Sequence, residues 1–112
     1  MAEGINAGPV ADIEEGEAIV IPADQTGTGD NIAVFNDEGN IYALDDTCTH
    51  EDASLADGYI EDGEVECPLH SARFCLKEGT ALCMPATVAV KPHRVEIRDG
   101  DVWVFPGEAP QG

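Results

Sequence analysis

Basic residues are scarce in this chain. Five Lys and Arg stand against 23 Asp and Glu, which gives a formal net charge of -18 at pH 7. Such a charge repels nucleic-acid phosphates and anionic membrane surfaces, so neither is expected as a partner. Intrinsic disorder is not expected either, because 43% of the residues are hydrophobic, close to the average of globular proteins. A charged partner should therefore be a basic protein surface.

Long hydrophobic runs are also missing. No stretch approaches the roughly 18 apolar residues that a membrane-spanning helix requires. The first residues, Met1 to Gly4, contain neither a basic nor an apolar segment, so no secretory signal is expected. The sequence thus predicts a cytoplasmic protein with no membrane partner. Its 112 residues suffice for a single domain, residues 1–112.

Short apolar runs separated by Gly, Asp and Asn fill the chain, and no segment keeps a helical period for three turns. The clearest runs are residues 18–21, 32–35 and 41–44. Glycine-containing turns between such runs predict three hairpins, near residues 37–40, 61–63 and 98–101. We therefore expect an all-β fold of small antiparallel sheets in a sandwich or barrel-like packing, with frayed ends at residues 1–7 and 106–112.

The acidic residues are unevenly distributed. Residues 1–72 hold 18 Asp and Glu and no Lys or Arg, whereas residues 73–112 hold five acids and all five bases. Two explanations stay open. The acids either solvate the surface, including in high salt, or they steer the protein toward a basic partner.

Cysteine and histidine occur in two matched pairs. Cys48 and His50 form C-x-H, and after sixteen intervening residues Cys67 and His70 form C-x-x-H. Each pair offers one thiolate and one imidazole from a turn-like segment, so a metal can hold the two segments together. A structural Cys2His2 zinc site and a buried set without metal are the alternatives. Zinc fingers favour one pair of cysteines and one pair of histidines, whereas each pair here combines a cysteine with a histidine.

This motif resembles that of the Rieske family. In that family two cysteines hold one iron of a [2Fe-2S] cluster and two histidines hold the other. The resemblance implies one such cluster, with Cys48 and Cys67 on the inner iron and His50 and His70 on the outer iron. It also implies a Rieske-type fold, in which a cluster-binding subdomain of two loops, about residues 46–84, is inserted in a β-sandwich-like base.

The residues around the motif resemble one branch of that family. Respiratory and photosynthetic Rieske proteins carry a disulfide at positions matching Ala53 and Leu69. They also donate hydroxyl hydrogen bonds from positions matching Ala72 and Phe74. Such donors stabilise the reduced cluster, so their loss implies a reduction potential at the low end of the Rieske range, about -150 mV.

The run from Cys48 to Gly58 and the run from Glu66 to His70 are similar to the Rieske ferredoxins of bacterial aromatic-ring-hydroxylating dioxygenases. That similarity implies a monomeric one-electron carrier in aromatic hydrocarbon catabolism. It accepts electrons from an NAD(P)H-dependent ferredoxin reductase and passes them, in transient complexes through basic patches, to a terminal oxygenase. No catalytic motif occurs in the sequence, so the chain is not expected to be an enzyme. The alternative is a small Rieske-type subunit of an oxidoreductase such as assimilatory nitrite reductase.

Three further residues have reactive side chains outside the motif. Cys75 and Cys83 flank residues 77–80 almost symmetrically, so they could face each other across a hairpin within disulfide reach. Reduced, buried thiols are the favoured alternative. His93 has no companion at ligand spacing and is expected to be a surface or packing residue.

Overall fold

The computed structural model describes residues 4–47, 54–68, 73–83 and 89–108. Ten strands dominate these residues: β1 (Ile5–Pro9), β2 (Ala18–Ile21), β3 (Ile32–Asp37), β4 (Asn40–Asp45), β5 (Tyr59–Glu61), β6 (Glu64–Glu66), β7 (Arg73–Cys75), β8 (Ala81–Cys83), β9 (Pro92–Arg98) and β10 (Asp101–Phe105). The helical elements in this part of the chain are α1 (Ala23–Thr26) and two short 3-10 turns, Val10–Asp12 and Leu55–Asp57. The all-β prediction is confirmed. No helix among the described residues is long and apolar enough to cross a membrane.

The three predicted hairpins form at the expected turns. Each connects its strands through two residues, an acid and a glycine: Glu38-Gly39, Asp62-Gly63 and Asp99-Gly100. Both residues of every turn have positive φ, between 50° and 52° for the acids. Two positive φ angles define the type I′ turn, whose twist matches the twist of the flanking strands. The glycine in the second position is the sequence signal that identified these turns.

The base of the molecule is a six-stranded antiparallel sheet in the order β1-β10-β9-β4-β3-β2. Side chains from β3 and β10 share one core although two strands separate them, so the sheet curls over this core. We call it the first core: Ile13, Ile21, Ile32, Val34, Ala43, Val102 and Val104.

A four-stranded sheet in the order β5-β6-β7-β8 packs on the outer face of the base. Between the two sheets lies the second core: Ala33, Phe35, Leu44, Leu55, Val65, Cys67, Phe74, Leu76 and Val90. Strand β3 is buried on both faces, because its alternate side chains point into different cores. The Gly63 amide also donates to Asp37 Oδ2 at 2.6 Å and joins the two sheets at their hairpin turns.

The small sheet is an insertion in the base. Strands β4 and β9 pair directly, with Ala43 opposite His93. Beyond that pair, the Asp45 amide donates to the Lys91 carbonyl at 2.9 Å. The chain therefore leaves the base after Asp45 and returns at Lys91 within one hydrogen bond of its point of departure. This arrangement agrees with the predicted fold class.

Parts of both ends that were expected to fray are held by hydrogen bonds. Strand β1 pairs with β10 from Ile5 onward, and the Glu108 carbonyl accepts from the Arg94 amide at 2.9 Å. The prediction of frayed ends is therefore wrong for residues 5–7 and 106–108, because long-range pairing outweighs their Gly- and Pro-rich composition. Residues 1–3 and 109–112 lie outside the described part of the chain.

Candidate metal centre

One of the four predicted ligands lies within the described part of the chain. Cys67 directly follows β6, is 1% exposed and belongs to the second core. Cys48, His50 and His70 lie outside the described residues, as do Ala53, Leu69 and Ala72 of the branch comparison. The structure therefore describes the bases of the two ligand loops, which we define as loop 1 (residues 48–53) and loop 2 (residues 69–72).

The base of loop 1 is closed by contacts between its two ends. Thr47 and Ser54 form an isolated antiparallel bridge, so loop 1 begins and ends at one place. Asp46 adds side-chain contacts, because its Oδ1 accepts from Ser54 Oγ at 2.8 Å and from the Ala56 amide at 3.0 Å. The Leu55 amide also donates to the Asp46 carbonyl at 2.7 Å.

The base of loop 2 is closed by an ion-pair group. Glu66 and Arg73 are cross-strand partners on either side of the loop. The Arg73 guanidinium lies 3.2 Å from Glu64 Oε1 and 3.0 Å from Glu66 Oε1. The hydrogen bond to Glu64, with the negative charge of Glu66, raises the pKa of Arg73 above its usual value. Arg73 thus connects β7 to two carboxylates of β6 beside the loop.

The two loop bases lie side by side. Loop 1 leads through Gly58 into β5, and β5 pairs with β6 immediately before loop 2, with Tyr59 opposite Glu66. A Cβ on Gly58 would lie 2.0 Å from the Glu66 carbonyl oxygen, so no side chain fits at this contact. Leu55 and Cys67 meet in the second core below. Ligands carried by both loops can therefore converge on one centre.

The donor set fits a mixed-ligand iron–sulfur centre. Two soft thiolates and two imidazoles from adjacent loops are the ligands that such a cluster takes. Among the described residues, no group of three or more His, Cys, Asp or Glu side chains is placed to hold a metal ion. The described part of the chain thus offers no competing site.

Replacing Gly58 by Ala should destabilise the protein by about 1–3 kcal/mol, because the new methyl group forces the Glu66 carbonyl away. Hydrogen exchange of the β5 and β6 amides should become faster. Gly100→Ala is the matched control: its Cβ meets no atom within 4 Å, although its φ of +82° disfavours a side chain. The control should lose stability without faster exchange in β5 and β6, and equal exchange in both variants would contradict this role for Gly58.

Cys75 and Cys83 do not lie opposite each other in the small sheet. The register of β7 and β8 places Cys83 opposite Arg73, while the Cys75 amide donates to the Thr80 carbonyl. An irregularity between Arg73 and Phe74 shifts the pairing, so the two cysteines are not cross-strand partners. Symmetric spacing around the turn did not reveal that shift. Cys75 is a free thiol, as favoured, but it is half-buried, so the prediction of a buried thiol is wrong for this residue.

His93 is a packing residue and not a surface residue. It is 2% exposed. Its Nε2 lies 2.7 Å from Asp45 Oδ1, and its Nδ1 accepts from the Gly107 amide at 2.9 Å. Because Nδ1 is an acceptor, the ring proton resides on Nε2 and is donated to Asp45. Both ring nitrogens are thus used within the base.

Comparisons with known proteins agree with this geometry. A model of the Rieske [2Fe-2S] domain family matches residues 5–105. The 3-phenylpropionate/cinnamic acid dioxygenase ferredoxin subunit of Shigella flexneri serotype 5b (strain 8401) is 48% identical over 106 residues, which cover 94% of this chain and 95% of that protein.

Two solved structures are informative. A chain in the complex of reduced oxygenase and oxidized ferredoxin of carbazole 1,9a-dioxygenase has a TM-score of 0.85 and 28% identity, with 97% of both chains covered. A protein described as an NADH-dependent nitrite reductase small subunit from Mycobacterium tuberculosis has a TM-score of 0.79 and 21% identity, with 93% of this chain and 95% of that chain covered. The latter likeness extends to the fold alone.

Proposed function

Because the chain belongs to the Rieske [2Fe-2S] domain family, we propose that Cys48 and Cys67 hold the inner iron of its cluster and that His50 and His70 hold the outer iron. The spacing of the two pairs supports this assignment, as does the direct contact between the two loop bases. When bound, the cluster supplies a one-electron couple. Burial of Cys67 keeps water from that ligand, which tunes the potential of the couple.

The protein carries electrons as the ferredoxin subunit of an aromatic dioxygenase system, and it is not itself a catalytic enzyme. The observation that carries this conclusion is the 48% identity to a dioxygenase ferredoxin subunit along 94% of this chain. Nitrite reductase small subunits are distant structural neighbours, at 21% identity.

The partners that we infer are a terminal aromatic-ring-hydroxylating oxygenase and an NAD(P)H-dependent ferredoxin reductase. A similar ferredoxin fold occurs in a solved complex of oxygenase and ferredoxin, which supports the first partner. The reductase supplies the electrons that the oxygenase consumes. We place the carrier in the cytoplasm, where pyridine nucleotides are found and where the Cys75 thiol stays reduced, and we expect a monomer.

We also infer that residues 1–112 act as one domain whose cluster-binding part covers about residues 46–84. Strand β3 supports this inference, because it contributes side chains to both cores. The small sheet therefore has no complete core of its own.

The function is tested by following the visible absorption of the oxidised cluster through one turnover. This absorption should decrease when NADH and the reductase of a 3-phenylpropionate dioxygenase system are added. The absorption should return when the terminal oxygenase, its aromatic substrate and oxygen follow. Co-purification at fixed stoichiometry with a nitrite reductase, with no reduction by ferredoxin reductases, would contradict the assignment.

The reduction potential should lie near -150 mV and rise when hydroxyl donors are restored. Phe74 is fully buried in the second core with Cys67, and Ala72 lies outside the described residues. Each new hydroxyl in Ala72→Ser and Phe74→Tyr can add a hydrogen bond to the reduced cluster. Such a bond is worth roughly 0.5 to 1.5 kcal/mol, or about 20 to 65 mV for one electron.

A redox titration of the holoprotein measures this shift. Phe105→Tyr is the matched control, because Phe105 is buried in the base at 6% exposure and lies outside both cores. The control should leave the potential unchanged. A wild-type value near +300 mV would contradict the branch assignment.

A further inference from the structure

Asp46 is a buried carboxylate at the point where the chain leaves the base for loop 1. The residue is 4% exposed. Removing a carboxylate from water opposes folding unless hydrogen bonds compensate the loss. Both donors to Asp46 Oδ1, the Ser54 hydroxyl and the Ala56 amide, come from the segment in which loop 1 ends. One oxygen thus connects the start of the loop to its end.

The backbone of Asp46 is itself anchored on the base. Its amide donates to the Asn31 carbonyl at 2.8 Å. The Asn31 side chain in turn accepts from the Ala23 amide at 2.8 Å, which ties it to the start of α1. The base therefore fixes Asp46, and Asp46 fixes the returning segment of the loop.

Backbone contacts also join the two ends, because the Leu55 amide donates to the Asp46 carbonyl at 2.7 Å. Thr47 and Ser54 form only a single isolated bridge. The Thr47 hydroxyl donates to Asp30 Oδ1 at 2.8 Å, but this bond is exposed and does not reach the end of the loop. Among the described residues at the base of loop 1, the side-chain hydrogen bonds between the two ends are the two part-buried ones that Asp46 Oδ1 accepts.

We propose that Asp46 is a positioning residue for the cluster: by closing the base of loop 1, its Oδ1 fixes where Cys48 and His50 present their ligand atoms. The proposal rests on the ligand assignment given above. Asp46 acts through the loop, in which two ligands lie within four residues of it.

The test compares Asp46→Ala with Asp46→Asn in the full-length holoprotein. The amide oxygen of Asn can accept the same two hydrogen bonds, whereas Ala leaves both donors without their partner. Asp46→Ala should lose its cluster about tenfold faster in the presence of an iron chelator, because outer-shell contacts of this kind commonly contribute 10- to 100-fold to metal affinity. Asp46→Asn should remain within about twofold of wild type.

Three controls separate positioning from other effects. Asp57→Asn removes an exposed carboxylate from the same returning segment and should match wild type. Val104→Ala removes buried volume from the first core, and its rate of cluster loss shows what global destabilisation alone produces. Cys48→Ser tests the ligand assignment separately: retention of a Rieske spectrum by this variant means that the assignment has failed.

Two further measurements report the position of the loop directly. Hydrogen exchange of residues 54–58 should accelerate in Asp46→Ala and stay slow in Asp46→Asn and Val104→Ala. The electron paramagnetic resonance lines of the reduced cluster should broaden in Asp46→Ala alone. A potential shift shared by Asp46→Asn and Asp46→Ala reports the lost charge, whereas a shift confined to Asp46→Ala reports a displaced loop.

The proposal is overturned if Asp46→Ala keeps the wild-type lines and rate of cluster loss. It is also overturned if Asp46→Asn loses its cluster and exchanges residues 54–58 as fast as Asp46→Ala, since acceptor geometry then does not matter. If Asp46→Ala yields no folded protein, Ser54→Ala decides the question. Loss of that single donor should give an intermediate rate of cluster loss with faster exchange in residues 54–58, and a wild-type result for both measurements rejects the role of Asp46.

Discussion

Replacing Cys67 by Ala should abolish the cluster and unfold most of the small sheet. The thiolate is a proposed iron ligand and a buried member of the second core, so its loss removes a cluster ligand and part of that core. Binding free energy of a metal centre whose ligands come from separate loops is also folding free energy. We expect the melting temperature to fall by more than about 10 °C.

Metal analysis and hydrogen exchange measure this effect. The wild-type protein should contain two irons and two acid-labile sulfides per chain, and its reduced form should show the low average g of histidine-ligated iron. Cys75→Ala, which removes a free thiol from β7, is the matched control. It should keep the wild-type iron and sulfide content and the low average g. In Cys67→Ala, amides between residues 46 and 84 should exchange quickly while β3 and β4 stay protected. One zinc per chain in the wild type would contradict the cluster.

Raising the ionic strength should slow electron transfer from the reductase by about tenfold or more at low protein concentration. The range to test is from about 0.01 to 0.1 M, over which the Debye length falls from about 30 to about 10 Å. The reason is the net charge of -18, which comes mainly from residues 1–72 and should steer the carrier toward basic patches. Stopped-flow measurement of the second-order rate constant at each ionic strength gives the salt dependence of the rate.

A matched pair of double variants locates the charges responsible. Glu51→Gln with Asp52→Asn removes two carboxylates next to the proposed ligand His50; these residues lie outside the described part of the chain. Glu61→Gln with Asp62→Asn removes two from the β5–β6 turn, at the end of that hairpin remote from the loops. Asn is suited to position 62, where φ is +50°.

Both double variants should keep the cluster spectrum. The first should weaken the salt dependence more than the second. Electron transfer needs a short distance to the cluster, so a partner should dock beside the proposed ligand His50, where solvent screens the neighbouring charges least. If the rate is indifferent to salt, the acids serve only to solvate the surface. If the β5–β6 turn has the larger effect, the partners approach the opposite end of the molecule.

The parts of the fold that the sequence predicts are those determined by local patterns. An apolar run followed by an acid-glycine turn is sufficient to identify the β3–β4 hairpin and its two counterparts. Strand β1 is not predicted, because it contains Gly8 and Pro9. For β7 and β8 the sequence indicates a hairpin around residues 77–80, but not the register that places Arg73 opposite Cys83. These strands exist because neighbouring strands pair with them, and a single sequence does not show which segments come together.

The residues of the site likewise fall into those that a local sequence pattern predicts and those that it does not. The spacing of the Cys and His pairs is a local pattern and predicts the ligands. Asp46 and Gly58 are two residues among 23 acids and 12 glycines, so nothing local distinguishes them. Their roles depend on Ser54 and Glu66, which reach them only in the folded chain.

The hydrogen bond between the Asp45 amide and the Lys91 carbonyl has a consequence for how such carriers diversify. A segment whose two ends meet at one point can be exchanged as a cassette without altering the strand ladder on either side. Residues 46–90 should therefore be exchangeable between relatives while the six-stranded sheet stays the same. Whether an exchanged segment packs correctly then depends mainly on three side chains of that sheet, Ala33, Phe35 and Leu44, which belong to the second core. Potential and partner preference can thus evolve together in one exchangeable piece, while the scaffold that receives it stays unchanged.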